Sequence, residues 1–123
     1  MDITILLVED DEWARESLKT TLEADGYVVL EACNGKIGLE TWRNNKERVT
    51  LIISDHHMPL MTGEEMLATI IEEDPSVLVI IMCAAIESSM DFSQARAVFP
   101  KPLKMGKFSE AINFLASIPR ERN

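Results

Sequence analysis

Five apolar runs rich in β-branched residues recur along the 123-residue chain, and a polar or amphipathic segment follows each one. The runs cover residues 3–8, 28–32, 49–54, 77–83 and 97–99, and the last of them ends at Pro100. The first and fourth runs are apolar at nearly every position, which predicts strands buried on both faces, as in a parallel sheet. Regular alternation with helical segments therefore favours βα units joined by right-handed crossovers.

Four of the intervening segments carry helix signals. In chain order these are the stripe Ala14, Leu18 and Leu22 closed by Gly26, the N-cap Asn34, the capping box of residues 62–65, and the apolar spacing of Phe108, Ala111, Ile112 and Leu115. Residues 87–96, between the fourth and fifth runs, are short and polar and give a weak helix signal, with Met90 and Phe92 as their main apolar residues. Trp13 and Trp42 are interpreted as packing residues.

Five such units predict an α/β fold, a flavodoxin-like (βα)5 doubly wound parallel sheet in a three-layer sandwich. The favoured strand order is 2-1-3-4-5, in which ligands bind beyond the carboxyl ends of the strands, between strands 1 and 3. We expect one domain over residues 1–118 and a short C-terminal tail over residues 119–123.

Charge and cysteine usage exclude several functions. The formal net charge of −9 argues against direct binding to the nucleic acid backbone. No apolar run approaches the roughly 18–20 residues that cross a membrane, so no membrane contact is expected. Cys33 and Cys83 give no disulfide framework, which favours a reduced, cytoplasmic setting.

Charged residues collect where the predicted strands end. The acids of residues 9–12 follow the first run, Asp55 follows the third, and Lys101 follows the fifth. Carboxylates that face one another repel unless a cation lies between them, and an all-oxygen site suits Mg²⁺. A carboxylate nucleophile, a metal and a lysine together describe the formation of an aspartyl phosphate. The alternative is that the four acids only cap and charge the first turn of a helix.

Three motifs resemble the response-regulator receiver domains of bacterial two-component signalling, including chemotaxis regulators. They are the acidic opening at residues 5–12, the loop of residues 55–63 with its Met-Pro and Gly, and Lys101-Pro102, a pair often joined by a cis bond. In such domains the acid pair follows the strand immediately, which makes Asp11 the less favoured member.

The resemblance implies a role for five residues. Asp55 would be the phosphoacceptor, and Lys101 would pair with the phosphoryl group. Glu9 and Asp10 would hold Mg²⁺ together with Asp55 and the backbone carbonyl of His57. A sensor histidine kinase or a histidine phosphotransfer protein would supply the phosphoryl group, and an output protein or domain that the sequence does not identify would receive the signal. The chain would not be an enzyme beyond taking phosphate from small donors and losing it again.

Two positions depart from the family pattern. Cys83 stands where strand 4 usually ends in a Thr or Ser whose hydroxyl bonds the phosphoryl group, and a thiol is a far weaker donor. Val98 stands at the usual switch aromatic, although Phe99 is next to it. The stretch between Cys83 and Lys101 is also shorter than is typical, which would shorten or remodel the helix that the family has between strands 4 and 5. These departures favour an alternative, a pseudo-receiver that binds partners without phosphorylation.

Three further alternatives are open for the same residues. His56 and His57 suggest zinc, but no other histidine exists to complete a site. Cys83 suggests a redox-sensitive thiol. A phosphatase with Asp55 as nucleophile would want a second acid two residues later, where the chain has His57.

Overall fold

The computed structural model describes residues 3–119, which form five strands and four helices. The strands are β1 (Thr4–Val8), β2 (Val28–Ala32), β3 (Val49–Asp55), β4 (Leu78–Cys83) and β5 (Ala97–Pro100). The helices are α1 (Glu12–Ala24), α2 (Gly35–Asn44), α3 (Gly63–Glu73) and α4 (Met105–Ala116). Of the tail expected at residues 119–123, everything after residue 119 lies outside the described part of the chain.

The strands form one parallel sheet in the order β2-β1-β3-β4-β5, which confirms the predicted fold. Strands β1 and β4 are buried at every position, whereas the edge strands β2 and β5 are mostly half-buried. The register pairs Val8 with Ser54, Asp55 with Met82, and Cys83 with Pro100. Residues that follow β1, β3 and β5 therefore meet along the edge of the sheet formed by the carboxyl ends of the strands.

The sheet separates two apolar cores. Leu6 and Val8 of β1 face a core that Trp42 of α2 and Met66 and Ile70 of α3 complete. The alternate β1 residues Ile5 and Leu7 face a second core, built with Leu18 and Leu22 of α1 and Phe108 of α4. Burying one large aliphatic or aromatic side chain contributes about 1.5–3 kcal/mol, so both layers help to hold the sheet in place.

The local signals for the helix ends are confirmed. The Asn34 side chain accepts a hydrogen bond from the Ile37 amide at 2.8 Å and caps α2. Thr62 and Glu65 form the reciprocal capping box of α3. Gly26 follows the last residue of the α1 cap and adopts a φ of 94°, a conformation that glycine reaches without strain.

The segment between β4 and β5, residues 84–96, contains no helix in the structure. Its half-buried Phe92 and Ala95 pack against the α2/α3 core, and the Arg96 amide donates to the Val79 carbonyl at 2.8 Å. Within residues 87–96, the main apolar residues, Met90 and Phe92, stand two positions apart, about 200° around a helix axis, so they cannot form the continuous apolar stripe that a helix needs for stable packing. The expected remodelling of this region is thus complete loss of the helix.

The packing role expected for Trp13 is wrong, because its side chain is 87% exposed. Trp13 lies five residues before the buried Leu18, about 140° away around the α1 axis. Trp42 is fully buried, as expected.

Within residues 3–119, no helix is both long enough and apolar enough to cross a membrane.

Candidate functional site

Three carboxylates from the ends of β1 and β3 form what we call the acid pocket: Glu9, Asp10 and Asp55. One oxygen from each lies within 4.8 Å of the other two. Glu9 is fully buried and Asp55 is 6% exposed, whereas Asp10 faces solvent. The structure therefore brings together the three side chains that the sequence predicted as metal ligands.

Lys101 reaches into the acid pocket from the end of β5. Its Nζ lies 2.9 Å from Glu9 Oε1 and 3.2 Å from Asp55 Oδ1. Burial lowers the pKa of Lys101, but the hydrogen bond with Glu9 and the negative charges of Asp55 and Glu9 outweigh it, so the pKa is raised. The lysine is held in its charged form between two of the three carboxylates. Its bond to Pro102 is cis, as the resemblance implies.

Asp10 is the carboxylate that these contacts leave least compensated. Its pKa is raised by burial first, and then by the hydrogen bond to Glu9 and the charge of Glu9. The positive charge of Lys101 lowers that pKa, but by less than burial and Glu9 raise it. A compact set of carboxylate oxygens with residual negative charge fits a small, hard cation such as Mg²⁺.

The run of four acids after β1 divides into two pairs with different roles. Glu9 and Asp10 belong to the acid pocket. Asp11 caps α1 by accepting the Ala14 amide hydrogen bond at 3.0 Å, and Glu12 lies in the first turn of that helix. Capping therefore explains the second pair only, and Asp11 is not part of the pocket.

The backbone after Asp55 is fixed by the start of α3. Asp55 Oδ1 accepts the His56 amide hydrogen bond at 3.0 Å, and the Gly63 amide donates to the His56 carbonyl at 2.9 Å. A Cβ atom at Gly63 would lie 2.7 Å from the Asp55 carbonyl oxygen. Only glycine permits this approach, which accounts for the Gly in the motif.

The two adjacent histidines touch edge-on, with ring centroids 4.8 Å apart, but they differ in burial and in partners. His56 is buried, its Nδ1 accepts the Glu64 amide hydrogen bond at 3.3 Å, and its ring meets Phe92 edge-on at 5.0 Å. Burial lowers the pKa of His56. His57 is exposed, with Nε2 3.8 Å from Cys83 Sγ. Over residues 3–119 the acid pocket is the single group of three clustered ligands of this kind, so the zinc hypothesis gains no support.

The thiol of Cys83 is engaged within its own loop. Cys83 is fully buried, and its Sγ donates to the Ala85 carbonyl at 3.2 Å, whereas the other thiol, Cys33, is exposed. Val98 packs against the α2/α3 core. Phe99 points to the opposite face of the sheet, where its ring meets Phe108 at 5.2 Å. Phe99 therefore does not take the place of the aromatic that Val98 replaces.

One residue near the site escaped the sequence analysis. The Arg15 guanidinium donates through Nη1 to the Glu9 carbonyl at 2.8 Å, and its Nε lies 3.3 Å from Glu31 Oε1. The sequence could have pointed to Arg15 through its position, because it lies one helical turn before the buried Leu18 and so near the buried face of α1.

Residues 5–113 match the family model of the response regulator receiver domain. The chain belongs to this family. Phosphorylation and Mg²⁺ binding are typical of receiver domains, and a cluster of acids at the ends of β1 and β3 is consistent with both.

Relatives of this receiver domain occur within larger proteins. The chain is 39% identical over 80 residues to the transcriptional regulatory protein GlrR of Escherichia coli, covering 65% of this chain and 18% of GlrR. It is 35% identical over 111 residues to histidine kinase P4 of Formosa agariphila, covering 85% of this chain and 8% of the kinase. The chain thus spans less than a fifth of the length of either relative.

Among solved structures, the receiver domain resembles response regulator TrrA of Thermotoga maritima, a structure determined in complex with Mg²⁺ and beryllium fluoride. The TM-score is 0.84 at 27% identity, with 92% of this chain and 98% of TrrA covered.

Proposed function

We propose that this receiver domain accepts a phosphoryl group on Asp55 from the phosphohistidine of a sensor histidine kinase or a histidine phosphotransfer protein. The observation that carries the proposal is the position of Lys101, whose Nζ lies 3.2 Å from Asp55 Oδ1 and 2.9 Å from Glu9 Oε1. A cation held between two buried carboxylates, one of them Asp55, suits a group that gains negative charge.

The acid pocket would hold Mg²⁺ through the side chains of Glu9, Asp10 and Asp55, and the backbone carbonyl of His57 would complete the protein ligands. When bound, the ion would supply positive charge to the phosphoryl oxygens. The donor set supports this assignment, because these ligands offer only oxygen atoms.

In the proposed reaction a carboxylate oxygen of Asp55 forms the new O–P bond. The P–N bond of the phosphohistidine breaks, and its electron pair remains on the imidazole nitrogen of the donor. The Lys101 ammonium pairs with a phosphoryl oxygen and offsets its charge. Cys83 takes the place of the usual hydroxyl beside the phosphoryl group. The hydrogen bond from the Gly63 amide to the His56 carbonyl helps to hold the backbone beside the nucleophile in place.

We also propose where the domain works and which reactions it carries out. The domain would work in the cytoplasm as a signalling module and would pass its state to an output protein or domain. Its own chemistry would be limited to phosphorylation from small donors and to loss of the phosphoryl group by hydrolysis. Similarity to a histidine kinase and to the TrrA complex with Mg²⁺ and beryllium fluoride supports the proposed role in signalling and the proposed Mg²⁺ site.

A second candidate is a pseudo-receiver that binds its partners without phosphorylation. It is favoured by the Cys83 thiol, which donates a hydrogen bond to the Ala85 carbonyl, by Val98, and by the helix-free segment of residues 84–96.

Mass spectrometry after incubation with acetyl phosphate and Mg²⁺ separates the two candidates. We expect the wild-type protein to gain the mass of one phosphoryl group, and we expect Asp55→Ala to gain none. Transfer from a phosphorylated histidine phosphotransfer domain provides a second donor. A wild-type protein that stays unmodified with both donors would support the pseudo-receiver.

A further inference from the structure

The Glu9 carbonyl, which directly follows β1, receives its hydrogen bond from a side chain and not from the sheet. The Glu9 amide makes a ladder-type bond to the Ala32 carbonyl at 3.0 Å, but β1 itself ends at Val8. The Glu9 carbonyl oxygen instead accepts from Arg15 Nη1 at 2.8 Å. A buried carbonyl without a partner costs free energy, so this guanidinium is part of what holds the strand end in place.

Arg15 is itself held in position by β2. Its Nε lies 3.3 Å from Glu31 Oε1, and Lys19 Nζ lies 3.0 Å from Glu31 Oε2. The Arg15 side chain is 18% exposed, against 32% for Lys19. Two cations of α1 thus share one carboxylate of β2, but only Arg15 also has a hydrogen bond to the Glu9 backbone.

We propose that Arg15 is a positioning residue for the acid pocket, acting through the Glu9 carbonyl to set the direction of the Glu9 and Asp10 side chains. The inference rests on the proposed Mg²⁺ site. Partners that orient metal ligands without touching the metal typically contribute about 10–100-fold to metal affinity. Removing Arg15 should therefore weaken Mg²⁺ binding.

Electrostatics alone predicts the opposite sign. Arg15 is a positive charge near a cation site, so deleting that charge should strengthen Mg²⁺ binding if charge were its only effect. The sign of the change therefore separates positioning from simple repulsion. Lys19→Met is the matched control, because it removes the same charge from the same helix and the same Glu31 carboxylate without touching Glu9.

The test is the Mg²⁺ dissociation constant of wild type, Arg15→Met and Lys19→Met, measured by calorimetry and by amide NMR. We expect Arg15→Met to weaken binding by about tenfold and Lys19→Met to stay within about twofold of wild type. Amide hydrogen exchange in the metal-free protein provides a second measurement. In Arg15→Met the Glu9 and Asp10 amides should exchange faster, while the amides of β4 should be unchanged.

Glu31→Gln keeps Arg15 but removes the charge of the carboxylate that holds its guanidinium. This variant should lose less Mg²⁺ affinity than Arg15→Met, and it still provides a test if Arg15→Met folds poorly. Unchanged or tighter binding in Arg15→Met, or an equal loss in Lys19→Met, would overturn the positioning role. If the wild-type protein binds no Mg²⁺, the proposed function itself fails, which is a different result.

Discussion

At the scale of single residues, the acid pocket contains one carboxylate that is compensated least, Asp10, and two that share Lys101. Asp10→Asn removes repulsion, so we expect its Tm in EDTA to rise by roughly 1–5 °C, the effect of about 0.2–1 kcal/mol. Glu9→Gln removes a carboxylate that pairs with Lys101, and it should lower the free energy of unfolding by about 1–2 kcal/mol. Thermal and urea unfolding measure both. A lower Tm for Asp10→Asn in EDTA would contradict the argument.

Cys83 gives a second prediction at this scale. A ligand shifts an equilibrium only by its differential affinity for the two states, and a thiol forgoes on the order of 1–2 kcal/mol of the hydrogen bond that a hydroxyl would make to a phosphoryl group. Cys83→Thr should therefore show larger amide shifts on adding Mg²⁺ and beryllofluoride than wild type does, above all in residues 84–96.

Cys83→Val is the control for shape, because valine matches threonine without the hydroxyl. Its response should not exceed that of wild type. If Cys83→Thr responds no more than Cys83→Val, the helix-free segment limits the switch instead.

At the scale of elements, one contact ties the helix-free segment to the start of α3, and a second ties it to the residue that follows β3. The Asp91 amide donates to Glu64 Oε1 at 3.1 Å, and Phe92 packs against His56 beside Asp55. Phe92→Ala should therefore destabilise the protein by about 1–3 kcal/mol and speed amide exchange across residues 84–96. Phe114→Ala, at a side chain 67% exposed on α4, should change stability by less than about 0.5 kcal/mol. Equal effects would show that Phe92 does not anchor the segment.

The cap of α3 gives a pH dependence. The Thr62 amide donates to Glu65 Oε1 at 3.0 Å, and this bond, followed by the Thr62 hydroxyl, lowers the pKa of Glu65. Because the folded pKa lies below the unfolded one, the contribution of Glu65 is present at neutral pH and is lost as the pH falls through the lowered pKa.

Urea unfolding should therefore show Glu65→Gln less stable than wild type at about pH 7, with the gap closing towards about pH 3. Glu72→Gln, on the same helix, is the control. A gap that stays constant with pH would contradict the capping role.

The sequence predicted the elements well where the signal is local. Caps such as Asn34 and Thr62 act within a few residues of themselves, and apolar runs mark buried strands directly. The direction of a side chain between elements is less accessible. Trp13 and Arg15 stand two positions apart on one helix, yet one faces solvent and the other reaches the end of β1.

At the scale of the whole molecule, parallel topology made the candidate site predictable. Once β1, β3 and β5 lie in register, Glu9, Asp55 and Lys101 must share an edge, whatever the details of packing. What topology could not predict is how the charges pair, because that depends on side-chain conformations. The pairing of Lys101 with Glu9 as well as Asp55 is therefore a result of the structure.

The net charge of −9 and the acid pocket lead to a prediction for the whole chain. Ligand that binds only the folded state stabilises it, by about 1.4 kcal/mol at ten times its dissociation constant. Adding Mg²⁺ at that level should raise Tm by roughly 5 °C, and NaCl at equal ionic strength should not. Asp10→Asn should lose most of this gain. Equal gains from both salts would assign the effect to general screening.

Because Cys33 is exposed and Cys83 is buried, thiol labelling can measure how often the protein opens around Cys83. A maleimide dye can reach the exposed Cys33 at once, whereas it reaches the fully buried Cys83 only when the structure around this residue opens. With Cys33 replaced by serine, the slow labelling of Cys83 becomes a measure of how often the end of β4 opens. The rate of Cys83 labelling can be compared between buffers of different composition. This kinetic measurement needs no introduced cysteine and no partner protein.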